Sequence, residues 1–76
     1  MVIIQFFMTM ISINLNNQVY QIAEKSTLSN LLQEINQNID GIAIAINEAI
    51  VSKANWSTTM LQNGDAILII QATQGG

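Results

Sequence analysis

Leu28, Leu31, Leu32 and Ile35 fall at i, i+3, i+4 and i+7, and this is the one stretch of helical period in the chain. Ser26 and Thr27 just before it can each serve as N-cap, because a side-chain oxygen there can accept from the free N–H groups of the first turn. The other apolar segments follow a period of two. Ile11, Ile13 and Leu15 take one face, with Ser12 and Asn14 on the other. Asn16-Asn17 supplies a turn and Val19 to Ile22 returns, so residues 10–22 read as a hairpin. After the helix, Asn36 to Gly41 is polar and closes on Asp40-Gly41, a stop signal that releases the chain into Ile42-Ala43-Ile44-Ala45-Ile46. Isoleucines take one face of that strand and alanines the other. A short Ile50-Val51 stretch and a looser segment carrying Trp56 lead to Asn63-Gly64-Asp65, a tight turn into a last strand from Ala66 to Ile70. The order is ββαββ, an α+β layout with no room for more.

A single helix covers one side of a sheet and leaves the other to solvent. If Ile67 and Ile69 point inward, period-two geometry turns Leu68 and Ile70 outward beside the small Ala43 and Ala45. A slip of one residue would bury Leu68 and Ile70 instead. In the first register these four residues form a flat, exposed apolar patch of the kind that marks partner surfaces, and they are the candidate docking residues. Trp56 reads as an anchor filling a gap beside the core, and Asp65 as a cap on its own turn.

Composition narrows the chemistry. A chain of 76 residues, half of them hydrophobic, makes one small domain. There is no cysteine and no histidine, which excludes disulfides, thiolate chemistry, zinc sites of the usual kind and imidazole acid/base catalysis. No catalytic group and no metal ligand set is assigned, and the chain is not expected to be an enzyme. Five acidic and two basic residues give a net charge of −3 with no basic patch to neutralise phosphates, so nucleic acid is not an expected partner. The opening MVIIQFFMTMI falls short of the roughly 20 apolar residues of a spanning helix and lacks the charged start and cleavage site of a secretory signal. No membrane partner is expected. Residues 1–9 read as a strand extension or as the product of a start codon placed too early, since Met8 and Met10 could each begin a chain.

The sequence ends Gln71-Ala72-Thr73-Gln74-Gly75-Gly76, a short tail directly after an apolar strand. Glycine lacks a Cβ, so Gly75-Gly76 makes a thin thread able to pass a channel too narrow for other side chains. An α-carboxyl group has a reference pKa of about 3.3–3.7, so Gly76 would present an ionised oxygen nucleophile able to attack the α-phosphate of ATP and form an acyl-adenylate. The division expected is therefore an extension over 1–9, a folded domain over 10–71 and a flexible tail over 72–76.

This order with a free Gly-Gly end resembles the β-grasp, or ubiquitin-like, fold of sulfur carriers, a mixed sheet with one helix packed on one face. IAIAINEAIVSKANW from Ile42 to Trp56 and LQNGDAILIIQATQGG from Leu61 to Gly76 are similar to the ThiS family of sulfur carriers in thiamin thiazole synthesis. Asn47, Ile50-Val51, Trp56, Gly64-Asp65 and Gly75-Gly76 are the most specific elements at these spacings, and Ser52 stands where the family often has proline. The resemblance implies a protein co-substrate with no bound cofactor. A ThiF-type, E1-like adenylyltransferase activates the Gly76 carboxylate with ATP, sulfur from a cysteine desulfurase or other donor displaces AMP, and the thiocarboxylate passes to a ThiG-type thiazole synthase. On that reading Gly76 is the attachment point and Gly75 gives channel clearance. The nearest rival is the small subunit of molybdopterin synthase, whose tail tends to carry aromatic or proline residues that Gln71 to Gln74 lack. A ubiquitin-like modifier or interaction module is the rival of another class. Richness in isoleucine and asparagine points to an AT-rich genome, hence a bacterial cytoplasm or a plastid stroma, and the absence of a transit sequence to action at the place of synthesis.

Overall fold

Residues 9–71 are described in the computed structural model of the protein. Strand β1, Met10–Leu15, and strand β2, Gln18–Ala23, pair antiparallel from Met10↔Ala23 to Leu15↔Gln18. Asn16 and Asn17 join them with φ of 48° and 67°, the two left-handed residues that a tight hairpin requires and that asparagine tolerates. Helix α1, Leu28–Glu34, starts on a reciprocal cap: the Asn30 N–H donates to the Thr27 hydroxyl oxygen while the Thr27 N–H donates to the Asn30 side-chain carbonyl. Ser26 sits outside the cap and donates its hydroxyl to the Ala23 carbonyl.

The helix stops earlier than Asp40-Gly41. Asn36 turns left-handed at φ 55°, its N–H donating to the Gln33 carbonyl and the next N–H, of Gln37, to the Leu32 carbonyl. An asparagine able to adopt that conformation ends the helix, and Gly41, at φ 69°, serves the turn into strand β3, Ile42–Ile46.

Among the described residues the sheet has a fifth strand. Beyond the ββαββ order, β4, Ala49–Val51, pairs antiparallel with β3 from Ile46↔Ala49 to Ile44↔Val51. Its turn, Asn47-Glu48, has φ of 50° and 73°. Three residues are too few for alternation to be visible, so the strand shows in sequence only as an apolar pair after a turn. A single 3-10 turn at Lys53–Asn55 follows, then strand β5, Ala66–Gln71, in the middle of the sheet order β2-β1-β5-β3-β4. β5 runs parallel to β1 and antiparallel to β3, giving the mixed sheet of a β-grasp fold.

Leu28, Leu31 and Leu32 of α1 meet Ile13, Ile22, Ile44 and Ile67 from four strands. Each such side chain contributes about 1.5–3 kcal/mol by leaving water. Trp56 and Leu61 belong to the same cluster, and the indole N–H donates to the Val51 carbonyl at 2.9 Å, so the tryptophan is an anchor with its polar edge satisfied. The connection around it also serves the helix start: Leu28 and Ser29 donate their N–H groups to the Thr59 and Trp56 carbonyls. Among the described residues no helix is long and apolar enough to cross a membrane.

Candidate functional site: the tail-bearing strand and the open face of the sheet

β5 carries the chain toward Gly75 and Gly76, which themselves lie outside the described residues. Asparagine side chains pin the strand along its length. Asn47 donates its side-chain N–H to Asp65 Oδ1 at 2.9 Å and accepts the Ala66 N–H on its own Oδ1 at 2.9 Å. Asp65 Oδ2 accepts the Gln62 N–H, the turn cap expected of it, and the Asp65 carbonyl accepts from the Asn14 N–H of β1. Asn63 Oδ1 accepts the Ser12 N–H. Further along, the Asn16 N–H donates to the Ile67 carbonyl and Asn16 Oδ1 accepts the Ile69 N–H at 2.8 Å.

These bonds set the register of β5, and register sets the faces. Ile67 is buried and Ile69 packs against the core, while Leu68 and Ile70 are 45% and 42% exposed on the side away from the helix. Ala43, paired with Ile70, is exposed beside them. Ala45 lies on the same face but is only 7% exposed, a correction to its placement in an exposed patch. Its ladder partners are Leu68 on one side and Ile50 on the other, and their larger side chains shade its single methyl group. Ala45 is thus floor, not contact surface. With Ala66 and Ile67 it floors a shallow depression of about 270 Å³ whose rim includes Leu68, Glu48, Asn14 and Asn17.

The apolar surface is wider than the four candidate residues. Ile50, 67% exposed, extends it across β4, and Val19 and Met10 are exposed on the far strands. Sequence reasoning missed Ile50 because it missed the strand; the turn residues Asn47-Glu48 were the available signal. It also missed the side-chain roles of Asn16, Asn47 and Asn63, each placed by a turn rather than by periodicity.

A second concavity, of about 550 Å³, lies on the helix side between Gln33, Asn36, Ile39 and Trp56 and carries no charged residue. Among the described residues no three His, Cys, Asp or Glu side chains converge as a metal site would require. What the described residues offer chemically is an apolar face on the sheet beside β5, the strand that precedes the tail in the sequence.

Comparison with known proteins agrees with this geometry. The profile of the ThiS family matches residues 4–76. The sulfur carrier protein ThiS of Escherichia coli strain K12 is 39% identical over 61 residues, covering 80% of this chain and 92% of that protein. The crystal structure of the thiamine biosynthesis protein ThiS from Geobacter metallireducens superposes with a TM-score of 0.77 at 17% identity, over 87% of this chain and all of that one, a likeness of fold. A match along nearly the whole sequence, with the same mixed sheet and single helix, means that the chain belongs to the ThiS family.

Proposed function

We propose that this chain is a sulfur carrier for thiamin thiazole synthesis, with the Gly76 carboxylate as its reactive group. The observation that supports it most is the family match running through residue 76, on a fold whose central strand ends at Gln71, five residues before Gly76 in the sequence. A carboxylate resists attack by a sulfur nucleophile because its charge repels the incoming group and oxide is a poor leaving group. Attack of a Gly76 oxygen on the α-phosphate of ATP, with loss of pyrophosphate, turns it into a mixed anhydride with AMP as leaving group. Attack by the terminal sulfur of a desulfurase persulfide then expels AMP and leaves an acyl disulfide; a second thiol outside this chain, itself ending as a disulfide, cleaves it to the thiocarboxylate, the sulfur donor to a thiazole synthase. A chain with no cysteine can hold transferable sulfur in this form.

The partners are an E1-like, ThiF-type adenylyltransferase and a ThiG-type synthase; ATP is used by the former and no cofactor is held by the carrier. Leu68, Ile70 and Ala43, with Ile50 beside them, form the docking surface, and Gly75 keeps the thread narrow where it enters the partner's active site. Intact mass spectrometry tests the reading, after incubation with the activating enzyme, ATP and a sulfur donor. A gain equal to one oxygen replaced by sulfur, absent from a variant lacking Gly76, is the expected result. No mass change in the full chain overturns it.

A further inference from the structure

The β1–β5 ladder ends at Leu15↔Ile67, where β1 turns into its hairpin, whereas on the other edge β3 stays paired with β5 to Ile42↔Gln71. From Leu68 onward β5 therefore has strand β3 on one edge only. In a continuing parallel ladder the Ile69 N–H would meet the main-chain carbonyl of residue 16. Asn16 is instead left-handed, φ 48°, and its side-chain Oδ1 takes the place of that carbonyl at 2.8 Å from the Ile69 nitrogen. Its own N–H still donates to the Ile67 carbonyl. One residue thus closes the hairpin with its backbone and adds a last rung with its side chain.

We propose that Asn16 is a positioning residue for the tail chemistry: by bonding the Ile69 N–H it holds the end of β5 on the edge that β1 leaves free, and so steadies the strand from which the tail departs. This rests on the carrier reading above. With the rung in place, five residues follow Gln71, a reach of roughly 17 Å when extended. Without it the end of β5 hangs on β3 alone and frays. Freeing two more residues lowers the effective concentration of the carboxylate about 1.7-fold by the −3/2 power of tether length, and lost direction at the strand end adds to that. Ile70 of the docking surface lies on the freed end, so the defect falls on kcat/KM for adenylation.

The test compares Asn16→Gly, which keeps the left-handed backbone and removes the acceptor, with Asn16→Asp, which keeps both. Amide hydrogen exchange at Ile69 is expected to quicken about five- to tenfold in N16G, the usual weight of one hydrogen bond, and to stay near wild type in N16D. Adenylation by the activating enzyme is expected to show kcat/KM reduced about twofold or more in N16G and restored in N16D. Ile22→Val, a core truncation on β2, serves as the stability control. Unchanged exchange at Ile69 in N16G overturns the rung; faster exchange with unchanged kcat/KM, or an equal kcat/KM loss in I22V, overturns the positioning role. A wild-type chain that is never adenylated overturns the carrier reading and with it the role given to Asn16, while the exchange measurement still judges the rung.

Discussion

Tyr20 and Glu34 show how one polar contact ties an outer strand to the helix. The Tyr20 hydroxyl donates to Glu34 Oε2 at 2.6 Å, and that bond, with lesser contributions from desolvation and from the carboxylate charge, raises the phenol above its ordinary value near 10. A phenol whose folded value is raised contributes stability that is fully present below its unfolded value and is lost as pH rises through the folded one. The stability difference between wild type and Tyr20→Phe is therefore expected to hold steady from neutral pH to about 9 and to shrink above about 10. Urea unfolding of both proteins at a series of pH values checks this, and a difference that grows in alkali would contradict it. The asparagines act at the same scale: Asn16, Asn47 and Asn63 each place a side-chain carbonyl where a strand N–H needs an acceptor. In the sequence these residues are visible as turn formers, but which N–H each would meet depends on strands far away in the chain.

Among the elements, the β3–β4 hairpin is held together against local preference. Glu48 sits at φ 73°, a conformation that costs an L-residue with a Cβ about 1–2 kcal/mol, and its side chain makes no compensating hydrogen bond among the described residues. Glu48→Gly should relieve that strain. Less the extra freedom glycine brings to the unfolded chain, the net gain is about 0.5–1 kcal/mol. For a domain of this size that raises Tm by about 2–8 °C, measurable by calorimetry. A lower Tm would mean that the left-handed glutamate is not strained. The helix was legible in outline because its leucines repeat with helical period and Thr27 precedes them; its end was not, because Asn36 competes with Gly41 as a stop and only the hydrogen bonds to Gln33 and Leu32 decide between them.

At the scale of the fold, one helix on a five-stranded sheet leaves an apolar face open among the described residues. Ile70→Asp puts a charge on that face and removes nothing from the core. It is expected to leave Tm within a few degrees of wild type while weakening binding to the activating enzyme by about 2 kcal/mol or more, the weight of an interface hot spot. Titration calorimetry against the purified partner reads the second quantity and thermal unfolding the first. A loss of the 2–5 kcal/mol typical of a core truncation would show instead that Ile70 belongs to the interior.

The shared face of Ile11, Ile13 and Leu15, the helical stripe through Leu31, and the hairpin at Asn16-Asn17 follow from the sequence alone, because periodicity and turn chemistry are local properties that a short window contains. The fifth strand, the register that buries Ile67 and turns Leu68 and Ile70 outward, the shading of Ala45 by Leu68 and Ile50, and the use of Asn16 as a rung for Ile69 were decided only in the tertiary structure. Each depends on residues distant in sequence arriving side by side, and that proximity is a property of the assembled sheet rather than of any one segment.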